Sequence, residues 1–292
     1  MMTTAIRPAE APPMRIVLFL VAFLTALPAF AKADRLHAGV PIGKGLKLDI
    51  HAPAIANKRK LFRRTKVPVV VYVHGGGWIK GDRSKVYDLP SFASRRGWML
   101  VSLSYRPVPQ VNVGQQVLEI EHGIRWVQRN IKRYGGDRKK IVIMGHSAGS
   151  HLVAMVGARG KIKGLKGVVA NDVQAYDMAQ YARVRGNGLP HMYAKAFGTD
   201  GRNWARWSPI THVKASRRRP PPHLIMYSDG GIYKRRKLLS RTYGDALAKK
   251  GATVRYFDGR GYTHGALGAR IGRSHGAPMT RAVEGFLREA FR

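Results

Sequence analysis

The chain has 292 residues, of which 45% are hydrophobic, so it can bury a sizeable core and is not disordered as a whole. It carries 52 Lys and Arg against 16 Asp and Glu, a formal charge of +36 that favours polyanionic partners but does not indicate a fold. No cysteine is present, which excludes disulfides, thiol nucleophiles and thiolate metal sites.

The first segment of the chain is typical of a secretory signal peptide. Basic Arg15 precedes an apolar run over residues 16–30, and Ala31 and Ala33 form a small-x-small cleavage site. We therefore expect cleavage after Ala33, or alternatively after Ala31, and an exported protein that is periplasmic or secreted. The other interpretation is an uncleaved anchor, although the run falls short of the about 20 residues that a membrane span needs. Without residues 1–33, 49 basic and 15 acidic side chains leave a charge of +34, and no later segment is apolar enough to cross a bilayer.

From about residue 36 the hydrophobic pattern alternates between strands and helices, without a repeat or a low-complexity linker. Several strand candidates are continuous apolar, β-branched runs, which are typical of strands buried on both faces. The predicted strands cover residues 46–50, 67–73, 98–104, 140–144, 167–170, 223–227 and 252–257. The predicted helices cover residues 116–134, 150–156, 236–250 and 278–292, and Gly135 and Gly136 end the first of them. This order predicts one α/β domain over residues 34–292, with a mostly parallel sheet covered on both sides.

Residues 173–207 interrupt the alternation. They contain three tyrosines and two tryptophans among glycines and basic residues. We interpret them as a small cap insertion over the catalytic edge of the sheet, and an irregular connection between a helix and a strand explains them equally well.

Gly145-His146-Ser147-Ala148-Gly149 lies between a predicted buried strand and a predicted helix. In that context the G-x-S-x-G pattern predicts a nucleophile elbow, a sharp turn that lifts Ser147 above the carboxyl edge of the sheet. The neighbouring His146, like His122 and His151, is interpreted as a structural histidine.

A glycine-rich segment, His74-Gly75-Gly76-Gly77-Trp78, directly follows the strand predicted over residues 67–73. Glycines let the main chain approach a substrate closely, and free amides there can stabilise the oxyanion of a tetrahedral intermediate. We assign the amides of Gly76, Gly77 and Ala148 as the oxyanion-hole donors. His74 is expected to brace this loop by hydrogen bonds and not to take part in catalysis.

These two motifs, in this order, resemble those of α/β-hydrolase esterases of the hormone-sensitive-lipase-like group and of the feruloyl-esterase and kynurenine-formamidase-like group. The likeness extends over nearly the whole chain after residue 33, and it includes Tyr105-Arg106-Pro107, Gly135-Gly136-Asp137 and Trp207-Ser208-Pro209. The resemblance implies the α/β-hydrolase fold and places Asp177 near the substrate. The chain departs from the family in its very basic cap region and in a stretched segment after Asp229.

A serine nucleophile needs a base and an acid that orients the base, in the chain order Ser–Asp–His for this fold. His264 follows the strand predicted over residues 252–257 and is assigned as the base, with His275 as the weaker alternative. Asp229 follows the 223–227 strand and is assigned as the acid. Asp258 stays an alternative, whereas Asp245 lies in a helical pattern and is interpreted as a surface residue.

The predicted function is hydrolysis of a small carboxylic ester through an acyl-enzyme, with a small-molecule ester as the partner. An arylformamidase or another amidase would use the same residues. A protein of a different class is also open, a non-catalytic basic protein that binds anionic envelope polymers on a vestigial hydrolase fold. The sequence has no H-E-x-x-H pattern, carboxylate cluster or P-loop, so no metal or nucleotide cofactor is expected. Electrostatic association with anionic envelope polymers is expected, and specific binding of nucleic acid is not.

Overall fold

A computed structural model of the protein describes residues 34–56, 59–60, 63–273 and 277–292. The predicted signal peptide and the alternative base His275 lie outside these residues. The strands are β1 (Arg35–Gly43), β2 (Leu46–Ala52), β3 (Arg59–Lys60), β4 (Arg63–Arg64), β5 (Val67–Val73), β6 (Met99–Leu103), β7 (Gly136–His146), β8 (Leu165–Asn171), β9 (His223–Ser228) and β10 (Val254–Gly259).

Eight of these strands form one sheet in the order β1-β2-β6-β5-β7-β8-β9-β10, whereas β3 and β4 form a separate antiparallel pair. β2 runs antiparallel to both of its neighbours, and every pair from β6 to β10 is parallel. The predicted α/β class with a mostly parallel sheet is thereby confirmed. The loops that follow β5, β7, β8, β9 and β10 all leave the sheet at its carboxyl edge, where ligands bind in open α/β sheets.

The helices are α1 (Leu89–Ser94), α2 (Val113–Asn130), α3 (Ala148–Arg159), α4 (Met178–Arg185), α5 (His191–Phe197), α6 (Gly201–Arg206), α7 (Pro209–Ala215), α8 (Tyr233–Lys249), α9 (His264–Ala269) and α10 (Pro278–Ala290). They cover both faces of the sheet, so successive residues of a central strand enter different cores. In β5, Val69 and Val71 pack in the core that contains α2, α3 and α8, whereas Val70 and Tyr72 pack in the core that contains α1 and α10. Burying one such valine contributes roughly 1.5–3 kcal/mol. Across the described ranges, no helix has the length and hydropathy that a bilayer span requires.

The ends of α2 follow from local chemistry. The helix starts three residues before the predicted position because Asn112 caps it, its side-chain oxygen accepting the Gln115 amide at 2.8 Å. Its last predicted turn is a separate 3-10 helix, Ile131–Tyr134. Gly135 ends that helix with φ at +93°, a left-handed conformation that glycine adopts without strain. The helix end that the sequence predicts at Gly135 is confirmed.

The segment that interrupts the alternation, residues 173–207, contains α4, α5 and α6 between β8 and β9. Tyr193 and Phe197 on α5 are buried, and their rings lie edge-on to Trp78, each with its centroid 4.9 Å from that of the indole. The segment therefore packs against the end of the glycine loop at the carboxyl edge of the sheet. Its assignment as a distinct cap stays a prediction.

Two fully buried histidines, His151 and His223, make the stability of the protein sensitive to acid. Burial lowers the pKa of each to about 4, although hydrogen bonds to the Trp207 and Pro221 carbonyl oxygens oppose the shift. Above the unfolded pKa of about 6.5 neither histidine is charged in either state. As pH falls from about 6.5 to about 4, only the unfolded chain takes up these protons, so the free energy of unfolding decreases.

We expect each of these two histidines to lower the free energy of unfolding by up to about 1.4 kcal/mol per pH unit in that range. Urea denaturation between pH 7 and pH 4.5 measures this slope. The control is the His191→Gln variant, which changes an exposed histidine and is measured in the same way. A free energy of unfolding that stays constant down to pH 4.5 would contradict the prediction.

Candidate active site

The turn between β7 and α3 holds Ser147 in a strained backbone conformation, with φ at +55° and ψ at −123°. A Cβ atom on Gly145 would lie 2.2 Å from the Gly149 carbonyl oxygen, and one on Gly149 would lie 2.1 Å from that of Val73. Only glycine fits at both positions, so the chain can turn sharply enough to place the serine at the tip. The predicted nucleophile elbow is present, and such strain persists where the surrounding structure enforces it.

His264, the first residue of α9, lies next to this serine. Its Nε2 is 2.9 Å from Ser147 Oγ, and its Nδ1 is 2.7 Å from Asp172 Oδ2. Because an ionised carboxylate can only accept, Nδ1 carries the hydrogen and Nε2 is free to accept the serine proton. About 39% of the His264 side chain is exposed, so a substrate can reach the imidazole.

Asp172 immediately follows β8, and its carboxylate is completely buried. Its Oδ1 accepts hydrogen bonds from Arg236 Nη1 at 2.7 Å and from the Ser228 amide at 3.0 Å, and its Oδ2 accepts one from Ser228 Oγ at 2.5 Å. Burial by itself would raise the pKa of Asp172. The hydrogen bond from His264 and the positive charge of Arg236 outweigh burial and hold that pKa at about 2. Asp172 is therefore ionised at neutral pH.

The assignment of Asp229 as the acid that bonds His264 is wrong. Its amide donates to the Tyr262 carbonyl oxygen at 3.0 Å, which ties it to the histidine loop through the backbone. Its carboxylate makes no hydrogen bond to His264, and both residues belong to the described part of the chain. The physical reason is strand order, because β8 lies between β7 and β9 and Asn171 is paired with both His146 and Met226. Asp172 is thus one strand from Ser147, whereas Asp229 is two strands away.

The other acids considered in the sequence also lie elsewhere. The Asp258 carboxylate accepts a hydrogen bond from the Tyr233 hydroxyl at 2.5 Å, and Asp245 is exposed on α8. Asp177, placed near the substrate by the family resemblance, caps α4 and accepts the Gln180 amide at 2.9 Å. The sequence contained the information that could have identified Asp172. Like Asp229, it directly follows a buried strand and precedes His264 in the required chain order.

The glycine loop after β5 lies against Ser147. A Cβ atom on Gly75 would be 3.0 Å from Ser147 Cβ, so the loop backbone passes directly beside the serine. Gly76 and Gly77 both have positive φ, at +123° and +60°, and within the described ranges neither amide donates to an acceptor. Ala148 is the first residue of α3, where helix amides lack intrahelical acceptors. These features fit the oxyanion-hole assignment, which stays a prediction.

Two histidines outside the catalytic arrangement brace these loops. Buried His74 donates from Nδ1 to the Gly75 carbonyl oxygen at 2.8 Å, which is the bracing hydrogen bond that the sequence predicts, and it stacks on Tyr105 at 4.3 Å between ring centroids. His146 donates from Nε2 to the His264 carbonyl oxygen at 2.9 Å. Burial and the neighbouring His264 lower the pKa of His146 to about 4, so it is neutral and holds the histidine loop without adding charge. No group of three or more His, Asp or Glu side chains in the described ranges could hold a metal ion.

A serine on a strained strand–helix turn, an adjacent imidazole and a buried carboxylate, all at the carboxyl edge of this sheet, define an α/β-hydrolase with a Ser–His–Asp arrangement. Residues 48–185 match the model of the BD-FAE family, which confirms the resemblance to feruloyl-esterase-like α/β-hydrolases. The match contains the glycine loop, the elbow and Asp172, and ends before the strand that leads to His264.

Similar proteins include two esterases of Mycobacterium tuberculosis. Esterase LipC is 35% identical over 101 residues, 34% of this chain and 25% of its own, and esterase LipQ is 37% identical over 121 residues, 40% of this chain and 27% of its own. The chain thus spans about a quarter of the length of these curated relatives. An inhibited esterase B from Lactobacillus rhamnosis superimposes with a TM-score of 0.66 at 19% identity, covering 88% of this chain and 85% of that one, which establishes the common fold.

Proposed function

We propose that the protein hydrolyses small carboxylic esters through an acyl-enzyme intermediate. The observation that carries this proposal is the continuous hydrogen-bonded series from Ser147 Oγ through His264 to Asp172. The names of the similar proteins, esterases LipC and LipQ, support the same reaction class.

In this mechanism Ser147 Oγ attacks the ester carbonyl carbon, and His264 Nε2 takes the hydroxyl proton. Asp172 holds the Nδ1 hydrogen and stabilises the imidazolium that forms, without itself becoming protonated. The amides of Gly76, Gly77 and Ala148 receive the oxyanion. His264 then gives its proton to the departing alcohol, and a water molecule activated by the same imidazole hydrolyses the acyl-enzyme.

Amide hydrolysis, including that of an aryl formamide, is the second candidate, because the same side chains can protonate an amine leaving group. A non-catalytic binding role is less well supported, because it gives no reason for the strain at Ser147 or for its bond to His264. Labelling by a fluorophosphonate separates a hydrolase of either kind from a binding protein, since only a hydrolase requires Ser147 to react.

The direct test is turnover of p-nitrophenyl esters with acyl chains of two to twelve carbons, beside a formanilide. We expect hydrolysis of the acetate or butyrate and slower hydrolysis of the formanilide. Faster turnover of the formanilide would favour the amidase, and absence of both activities, together with no fluorophosphonate labelling, would refute the proposal.

Arg236 is expected to set the pH dependence of this activity. Its guanidinium is buried on α8 and lies 2.7 Å from the carboxylate that holds the imidazole, while neutral His146 faces the same imidazole from β7. A cation at this distance disfavours a second positive charge on the Asp172–His264 pair. In Arg236→Met, protonation of the pair becomes easier. The acidic limb of the profile of kcat/KM against pH should then move up by about one unit, equivalent to about 1.4 kcal/mol.

The matched control is Arg235→Met, because the adjacent Arg235 binds Gln174 and not the catalytic acid. It should leave the acidic limb in place. If both variants keep the wild-type profile, Arg236 only stabilises the fold, and this prediction fails.

We also propose that the chain is exported and that its positive charge holds it loosely on anionic envelope polymers. Residues 1–33, which contain the apolar run over residues 16–30, would be removed, and the remaining charge is +34. N-terminal sequencing of exported protein checks the cleavage. Release from envelopes by 1 M salt, where electrostatic screening acts over about 3 Å, checks the attachment.

A further inference from the structure

A cavity of about 520 Å³ lies beside the amino ends of β7 and β8, and six cationic side chains line it. No acidic residue is among its lining residues. We call this cavity the basic groove, and its cations are Arg125 and Arg129 from α2, Arg138 and Lys139 from β7, Lys163 from the loop before β8 and Lys166 from β8.

Local structure brings together the segments that carry these cations. Arg125 and Arg129 are four residues apart and therefore lie on the same face of α2. On the same face, Gln128 donates from its side-chain amide to the Lys163 carbonyl oxygen at 2.8 Å, which fixes the loop before β8 against the helix. β7 and β8 are paired in parallel, so their amino ends are adjacent.

The charges of the basic groove are largely uncompensated. Arg125 contacts Glu121 at 3.2 Å, but that carboxylate also binds Arg159 at 2.9 Å. Asp137 is close in sequence to Arg138 and Lys139, but its carboxylate accepts a hydrogen bond from the Lys139 backbone amide at 2.9 Å and forms no salt bridge with either side chain in the described residues. For the other five cations, the described part of the chain contains no carboxylate within salt-bridge distance. The repulsion that remains would be relieved by a ligand with several negative charges.

The groove also indicates the chemistry of such a ligand. Three guanidinium groups supply the planar pairs of donors that match phosphate oxygens, and lysines add point charges. No aromatic side chain lines the groove, so it lacks the stacking platform of a single-stranded nucleic acid site. An adjoining cavity of about 260 Å³ shares Lys163 with the groove and adds Arg218 and Arg219. We propose that the basic groove binds a short chain of linked phosphates, which concentrates several negative charges within one such cavity.

The basic groove is remote from the candidate active site. The regular pairing of β7 with β5 begins at Ile141, after Arg138, and the six residues from Ile141 to Ser147 rise about 3.3 Å each, so about 20 Å of strand and turn separates them. Binding of phosphate and turnover of ester can therefore be measured independently. Failure of one does not imply failure of the other.

Isothermal titration with sodium tripolyphosphate tests the proposal, using the full-length protein in 50 mM salt. The informative variant is Arg129→Gln/Arg138→Gln/Lys163→Gln, and the control is Lys214→Gln/Lys249→Gln/Lys250→Gln. The control removes the same charge from another cavity of about 360 Å³, which contains Asp245. We expect one site on the wild-type protein, at least tenfold weaker binding to the first variant, and a change of less than threefold in the control.

Three outcomes would overturn the proposal. Equal weakening in both variants would mean that binding reports only the net charge. Citrate binding as tightly as tripolyphosphate would mean that the groove does not select phosphate. Binding to phosphatidic acid vesicles without binding to tripolyphosphate would indicate a membrane surface as the partner. In all variants, hydrolysis of p-nitrophenyl butyrate should stay within about twofold of the wild-type rate, since no catalytic residue is changed.

Discussion

Replacing Ser147 with alanine is expected to lower kcat for p-nitrophenyl butyrate by about four to six orders of magnitude, or about 5.5–8 kcal/mol. The reason is that His264 Nε2 then faces a methyl group, and no atom can form the acyl-enzyme. Alanine keeps the Cβ atom, so the strained turn and its neighbours should not change. Steady-state kinetics on the purified variant measure the loss of kcat. Comparison of its circular dichroism spectrum with that of the wild type tests whether the fold is unchanged.

Ser147→Gly is the matched companion. It removes the same hydroxyl but also relieves the backbone strain at φ +55°, since such conformations cost other residues about 1–3 kcal/mol. We expect it to be as inactive as the alanine variant and more stable to urea by about 1 kcal/mol. Activity that survives in either variant would remove Ser147 from the mechanism.

Replacing Asp172 with asparagine is expected to lower kcat by about 10⁴, the size of effect that loss of the orienting acid has in a serine protease. Asparagine cannot hold the imidazole in the required tautomer and stabilise the imidazolium as a carboxylate does. Asp229→Asn, by contrast, should change kcat by less than about threefold, because its carboxylate does not contact His264. Parallel kinetics on the two folded variants measure the difference.

Asp172→Asn also leaves the buried Arg236 without its anionic partner, and breaking a buried pair costs about 3–5 kcal/mol. The double variant Asp172→Asn/Arg236→Met removes that unpaired charge and should fold better while staying equally inactive. Asp258→Asn is the control at an exposed aspartate, because the Asp258 carboxylate contacts the Tyr233 hydroxyl and not His264. If Asp229→Asn lowers kcat strongly and Asp172→Asn does not, Asp229 is the acid that orients His264, as the sequence analysis assigned.

Most of the strands were predictable because a strand buried on both faces leaves a continuous apolar run. Residues 67–73 were predicted to the exact limits of β5, and both of its faces enter cores. β1 was not predicted. Most of its residues are only partly buried or exposed, so it has neither an apolar run nor a regular alternation. Pairing with β2 stabilises it, and no local pattern reports that pairing.

The sequence by itself located Ser147 on its turn, the glycine loop and His264, because each depends on a few consecutive residues. Gly145, Ser147 and Gly149 encode their own turn, and the glycine loop and His264 directly follow strands that are recognisable from their apolar runs. Only the tertiary structure decided which aspartate holds His264. Asp172 and His264 are 92 residues apart, and they meet because β8 lies between β7 and β9. Strand order is set by long-range packing, which the residues around Asp172 and Asp229 do not encode. For the same reason the scattered lysines and arginines became a basic groove only when α2, β7 and β8 were brought together.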